Sequence, residues 1–403
     1  MAKAYVVGTC DTKGAELRYM KGLIEAAGVA TCLVDLGTSG TDTGTDAGTV
    51  DVGAAQVASH HPEGAGAVLG GDDRGQAVTA MAEAFANFVR ARNDIGGMIG
   101  AGGSGNTALA ATGMRALPLG VPKILVSTVA SGNVAPYVGP NDIAMVYSVA
   151  DVAGLNRITR AVLGNAAHAL AGMMANSLPE TSDEKPAIGL TMFGVTTACV
   201  DQVREHLEAD YDCLVFHATG TGGQSMEKLA VSGFISGCID ATTTEVCDHL
   251  MGGVFSAGET RFDALAAAGL PYVGSCGALD MVNFGARETI PEKYRDRNIY
   301  IHNPQVSLMR TTAQENRAMG EWIGAKLNKF TGPVRFLIPE KGVSLIDAPG
   351  MPFHDPEADA ALFEALQKTL IETDTRKLVR CPHHVNDAEF AAALVAAWRE
   401  IAA

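Results

Sequence analysis

Short runs of β-branched and aliphatic residues that stop at Gly, Thr or Asp alternate along the chain with Ala-rich stretches of helical period. Runs that are apolar at consecutive positions are expected of parallel strands covered by helices on both faces. In the first half the pattern predicts strands over residues 4–9, 31–37, 96–100 and 123–128, and helices over 14–27, 76–92, 107–117 and 156–176. Between Gly37 and Gly75 lies a polar segment, rich in Gly, Thr and Asp, that is too long for an ordinary connection; it reads as a flap or a partly helical excursion.

Residues 178–185 carry Pro179, Glu180, Asp183 and Glu184 with few apolar positions and read as a linker. The strand-helix alternation then starts again. Strands are predicted over 187–194, 212–218, 237–242, 271–274, 298–303, 334–338 and 377–382. The closing helix, 387–401, has Asn386 as its expected cap and Phe390, Leu394 and Trp398 on one face. The expected architecture is therefore α/β, in two domains (1–180 and 186–403) with mostly parallel sheets. A faint echo between VVGTCDTKG and LTMFGVTTA fits a duplication or one architecture used twice.

Composition narrows the functional classes. A length of 403 residues suits two domains, and 47% hydrophobic against 19% charged residues describes a packed chain. The balance of 30 basic and 45 acidic residues gives −15, with no Lys/Arg run to offset it, so a nucleic-acid partner is not expected. No stretch reaches 18 uninterrupted apolar residues and the N-terminus lacks the order of a secretory signal, so no membrane partner and a cytoplasmic location are expected. Eight scattered cysteines without a C-x-x-C pair suggest reduced thiols and no structural zinc.

Three donor-rich turns follow predicted strands in the first half. Gly8, Thr9, Cys10, Asp11, Thr12, Lys13 and Gly14 offer backbone N–H groups, hydroxyls and a cation to an anion, and Asp11 offers Mg²⁺ a ligand. This is not a P-loop, because Gly14 stands after the lysine where that motif needs Ser or Thr. Gly100, Gly102 and Gly105 satisfy G-x-G-x-x-G, in a turn continuing through Gly103, Ser104, Asn106 and Thr107. No Asp or Glu occurs between Gly105 and Pro140 to take a ribose, which favours a phosphate or carboxylate cradle over a dinucleotide site. The third turn brings Ser127, Thr128, Ser131 and Gly132. Each also reads as a tight turn packing helix on sheet. Asp35, closing the second strand, is either a ribose partner or a turn residue.

The second half repeats the theme with less definition. The run from His217 through Gly223 (HATGTGG) resembles an anion loop opening a helix, and Thr242 with Glu245 fits a capping box. His217, Asp240 and Glu245 are the candidate acid-base groups, with Asp280 and His302 at further strand ends, against the plainer reading of hydrogen-bonded scaffold. His354-Asp355 and His383-His384 are explained more cheaply by a turn and a helix entry than by metal ligation.

Taken together, VVGTCDTKGAEL, VDLGTSG, GAGGSGNTALAATGMRALPLGVPKILVSTVASGN, HATGTGGQSMEKL and HNPQVSLMRTT resemble an uncharacterised family of bacterial and plant proteins. That family includes the amino-terminal ATP-binding region of the plant tobamovirus-resistance protein, an inhibitor of viral RNA replication. The similarity runs over essentially the whole chain. It implies two Rossmann-like domains, ATP with Mg²⁺ in the first, and self-association as a homodimer or higher homo-oligomer. The plant proteins continue into a TIM-barrel-like domain for which 403 residues leave no room, so activity carried by that barrel is not expected here. The leading expectation is an ATP-binding protein. The alternative is a metabolic enzyme acting on a phosphorylated or carboxylated small-molecule substrate at the domain interface.

Overall fold

A computed structural model describes residues 2–39, 50–69, 73–176 and 185–402. The chain divides into two compact units, Met1–Glu180 and Thr181–Ala403. The expected linker lies outside the described residues except for Lys185, as do parts of the polar segment between Gly37 and Gly75. Within that segment two short helices, Ala54–Ala58 and Gly66–Leu69, are described.

Unit 1 is built on five parallel strands: β1 (Lys3–Gly8), β2 (Thr31–Asp35), β3 (Ile95–Gly102), β4 (Lys123–Ser127) and β5 (Ala144–Tyr147), in the order β2-β1-β3-β4-β5. Strand side chains point alternately to the two faces. In β1, Val6 packs with Leu17 and Met20 of helix Cys10–Ala26 and Leu163 and Leu170 of helix Arg157–Ala175. Its neighbours Tyr5 and Val7 face Phe85 and Phe88 of helix Arg74–Arg90 and Leu109 of helix Ser104–Ala116. With both faces covered, the interior positions of β1, from Ala4 to Val7, are all apolar, which is why the run is continuous in the sequence. Asn156 caps helix Arg157–Ala175 through a capping box with Thr159.

Unit 2 has six parallel strands, β6 (Ala187–Met192), β7 (Asp212–His217), β8 (Cys238–Thr242), β9 (Tyr272–Gly277), β13 (Val334–Pro339) and β14 (Arg376–Cys381). Between β9 and β13 the chain also forms a three-stranded antiparallel sheet from β10 (Met281–Phe284), β11 (Ile299–Asn303) and β12 (Val306–Arg310). The parallel order is β14-β13-β9-β8-β6-β7. Both units are Rossmann-like in the doubly wound sense, with the first strand lying between the second and the third. The faint internal echo therefore corresponds to one strand order used twice.

Several boundaries differ from the sequence reading. Helix Cys10–Ala26 starts four residues early and helix Ser104–Ala116 three, so the turns before them are shorter than expected. Strand β11 belongs to the antiparallel sheet, and β5, β10 and β12 were not anticipated. The last helix, Ala388–Ile401, is preceded by Asp387; the Asn386 side chain instead accepts from Cys199 N–H (3.2 Å) and donates to the Val195 carbonyl (3.0 Å). Phe390, Leu394 and Trp398 are buried as a row against Leu190, Ile239 and Leu337.

Candidate functional site

The strand order of unit 1 reverses direction between β1 and β3, and ligands of such sheets bind beyond the carboxyl ends of the strands at that point. A cleft of about 670 Å³ opens there. Thr9, Asp11, Thr12 and Lys13 form one wall and Gly103, Ser104, Gly105 and Asn106 another; Thr38, Ser39, Ala77, Val78, Leu109 and Asp151 complete it. The size lies within the range of small-molecule sites, about 300–1,000 Å³.

Two helices begin at this cleft. The first turn of a helix has N–H groups without intrahelical acceptors, together with the positive end of the helix dipole. Helix Ser104–Ala116 begins at Gly103, which has no capping side chain, and the N–H groups of Ser104, Gly105 and Asn106 have no partner among the described residues. A Cβ added at Gly105 meets nothing within 4 Å, so the backbone is open on that side. In helix Cys10–Ala26 the Cys10 N–H is taken by Asp35 Oδ1 at 2.9 Å, while Asp11 N–H has no partner among the described residues. Asp35 also accepts from Gly37 N–H at 2.9 Å and is buried, so its place is a helix-end acceptor rather than a ribose contact.

Asn106 joins the two walls. Its Oδ1 accepts from Thr9 N–H at 3.2 Å and its amide nitrogen donates to the Ala101 carbonyl. Gly8 is required below it, because a Cβ there would lie 2.8 Å from Asn106 Nδ2. Lys13 donates its ammonium to the Val152 carbonyl, next to the lining residue Asp151. The hydroxyls of Thr9 and Thr12 are 2.7 Å apart, and Ser39 Oγ lies 3.4 Å from Asp11 Oδ2. A cation and hydroxyls beside open N–H groups suit a phosphate chain, and the carboxylates of Asp11 and Asp151 suit a hydrated divalent cation. Among the described residues no group of three or more His, Cys, Asp or Glu could hold a metal by itself.

The remaining expected residues take other places. Gly14 is buried in the first helix, where a Cβ would meet the Arg18 guanidinium at 2.7 Å. Thr107 donates to the Gly103 carbonyl at 2.8 Å, and its hydroxyl lies 2.6 Å from that of Ser127; both residues are fully buried beneath the turn. Thr128 and Ser131 fall in a 3₁₀ turn ending at Gly132, and none of these lines the cleft. The sequence reading did not include Thr38, Ser39, Ala77, Val78, Leu109 or Asp151. The carboxylate of Asp151, which follows β5, had no nearby motif to mark it.

In unit 2 the candidate residues part company. Asp240 and Glu245 are buried on Arg261, whose Nη2 lies 2.7 Å from Asp240 Oδ2 and whose Nε lies 2.8 Å from Glu245 Oε2. Glu227 takes Nη1 at 2.9 Å. Burial holds the carboxyls of Glu227 and Glu245 above the usual range, with Arg261 opposing it. His217 is exposed and packs edge-on against Phe193. Asp280 belongs to another cluster, around Arg310, and His302 is exposed on β11.

The expected anion loop here already has its anion. Glu245 Oε1 accepts from Gly220 N–H at 2.7 Å and Gly223 N–H at 3.0 Å, at the start of helix Thr221–Val231. A Cβ at Gly223 would sit 2.1 Å from Glu245 Oε2, so the glycine admits a carboxylate of the protein itself. The expected capping box is absent as well: Thr242 is in β8, and helix Glu245–Met251 starts after Thr244. Arg261 lies in a loop without a recognisable motif, and no signal in the sequence marked it.

Comparison with known proteins accords with this two-part organisation. The family model described as the uncharacterised protein family (UPF0261) N-terminal domain matches residues 2–179, and that of the C-terminal domain matches 185–402. A UPF0261 protein of Rhizobium meliloti (strain 1021) is 58% identical over 402 residues, covering 100% of both chains. One from Clostridium tetani is 45% identical over 97% of both. The ToMV resistance protein Tm-1(GCR237) of Solanum lycopersicum is 43% identical over 99% of this chain and 56% of its own length.

Proposed function

The chain belongs to the UPF0261 family, and from that premise we propose that the cleft between the turns after β1 and β3 binds ATP. The observation that carries this reading is the set of N–H groups at Ser104, Gly105 and Asn106, without partners among the described residues, in a cleft of about 670 Å³ that Lys13 and two threonines also line. In this reading the phosphates lie on those N–H groups. Lys13 moves from the Val152 carbonyl to a phosphate oxygen, and Asp11 with Asp151 holds Mg²⁺ through its water shell. The magnesium would supply charge neutralisation along the phosphate chain. The resemblance to an ATP-binding region supports the choice of nucleotide.

The alternative of a small-molecule enzyme worked by His217, Asp240 and Glu245 draws no support from the geometry, because two of the three are sealed against Arg261. Among the described residues no helix is long and apolar enough to cross a membrane. The resemblance also supports a cytoplasmic homodimer or higher homo-oligomer; a monomer in sedimentation velocity at micromolar concentration would remove that part.

Calorimetry with ATP and Mg²⁺ tests the main reading. Saturable binding is expected, weakened by Lys13→Ala and by Gly105→Asp, which puts a carboxylate into the space a phosphate would take. No heat at millimolar ATP, or an affinity unchanged in both variants, would overturn it.

A further inference from the structure

Unit 2 has a second cleft, of about 720 Å³, beyond the carboxyl ends of β13 and β14. It draws together the two histidine motifs of the sequence, since His354 and His384 both line it. Its walls carry four carboxylates, each of them held by a hydrogen bond or an ion pair. Glu340 accepts from Arg380 Nε at 2.6 Å, and Asp359 from Arg310 Nη2 at 2.7 Å. Asp387 accepts from His384 N–H at 2.8 Å, and Glu364 lies 3.7 Å from Lys368. Behind Asp359, burial and the charges of Asp280 and Asp359 push Asp347 up to about 9, with Arg310 opposing them from 3.5 Å.

The positive side is not matched in the same way. Lys341 lines the cleft, is exposed, and has no carboxylate within ion-pair distance among the described residues. Arg380 uses Nε on Glu340 and Nη1 on Gln367 (3.1 Å), which leaves Nη2 without a partner among the described residues. Beside these cations the wall turns apolar at Pro349, Pro356 and Phe363.

The cleft is also held rigid. Asn386 N–H donates to His384 Nδ1 at 3.1 Å, so the ring proton sits on Nε2 and is donated to the Ser344 carbonyl at 2.9 Å. Gly342, at φ +123°, lets the chain pass beneath that ring. A Cβ there would lie 2.8 Å from His384 Cδ2 and 2.0 Å from the Asp347 carbonyl oxygen. Asp347 Oδ2 accepts from Val343 N–H at 2.9 Å and fixes the same turn.

We propose that this cleft is a second ligand site, taking a small organic anion whose carboxylate or phosphate meets Lys341 and Arg380 while its apolar body rests on Pro349, Pro356 and Phe363. The pairing follows from what the walls leave open among the described residues: the Lys341 ammonium and Nη2 of Arg380, beside a short apolar face. It is independent of nucleotide binding in unit 1.

Calorimetry on the full chain with phenyl phosphate as probe, and phenol as its uncharged counterpart, tests the proposal. Saturable binding of phenyl phosphate is expected at millimolar concentration, with phenol at least roughly tenfold weaker. Lys341→Glu, on an exposed side chain and checked by thermal melting for a native fold, should weaken phenyl phosphate by roughly tenfold or more. Equal binding of phenol, no effect of Lys341→Glu, or no binding at all would each overturn the assignment.

Discussion

The carboxylate of Glu245 rests on the backbone N–H of Gly220 at 2.7 Å and so closes from within a helix N-terminus that would otherwise receive an external anion. The same side chain is one of three carboxylates on the buried Arg261. One guanidinium cannot neutralise three acids, so the cluster is stable only while its hydrogen bonds are complete. Arg261→Met should leave Asp240, Glu227 and Glu245 buried without a cation and destabilise unit 2 by about 3–5 kcal/mol or more. Glu245→Gln keeps an oxygen for the N–H groups but loses the charge on Arg261; about 1–3 kcal/mol is expected. Urea denaturation measures both, and a native midpoint in Arg261→Met would refute this account of the cluster.

Asn106 supports the candidate site from below. Its amide needs both polarities, accepting from Thr9 N–H and donating to the Ala101 carbonyl. Asn106→Asp keeps the shape but sets a carboxylate against that carbonyl, at an expected cost of about 1–3 kcal/mol. The carboxylate still accepts from Thr9 N–H, but its repulsion from the Ala101 carbonyl displaces the side chain that ties the turn after β1 to the turn after β3. ATP affinity should fall by roughly tenfold with little change in the heat per site bound. An affinity equal to wild type would show that the two walls do not depend on this link.

The pH response should reside in unit 2, where burial raises several acids. Asp347 is pushed up to about 9 and Asp280 to about 6, in each case first by burial. An acid whose folded pKa exceeds its unfolded value binds more protons when folded, so stability falls as pH rises from the unfolded value through the folded one. The slope is at most about 1.4 kcal/mol per pH unit for each group. Melting temperature should therefore decline between pH 6 and 8. Asp347→Asn mimics the protonated form and should flatten that decline. A wild-type melting temperature that rises across the window would contradict the burial assigned to this cluster.

The legible parts of the molecule are those where one element's sequence suffices. Strand β1 was readable because both faces are buried and all its interior residues are apolar, and the two glycine turns beside the cleft because a turn after a buried strand needs little else. Strands β10 and β12 were not, because buried Asn283 and Ser307 interrupt short apolar runs whose pairing is set by each other. The HATGTGG loop misled for a related reason. Its glycines announce a carboxylate or phosphate nearby, but whether the anion is a ligand or Glu245 depends on where β8 ends, and on Arg261 in a loop sixteen residues after Glu245. Asp151, likewise, reaches the cleft only through the position of β5.

Cysteine reactivity gives a prediction that tests the packing of both units at once. All eight cysteines are free, and among them only Cys213 is not buried. Cys10 is pushed up to about 12 by burial and by the neighbouring Asp35, and Cys199 to about 12 by burial alone. A thiol reagent reacts with the thiolate and needs access to it, so burial blocks the reaction twice. Titration of the native protein with a chromogenic disulfide near pH 8 should modify Cys213 alone on the timescale of minutes, while denatured protein yields all eight. Rapid modification of Cys10 in the native state, read by peptide mapping, would mean that the helix carrying Asp11 and Lys13 opens at its first turn. ATP with Mg²⁺ should then slow that reaction if the nucleotide occupies the cleft, which ties thiol protection to the candidate site.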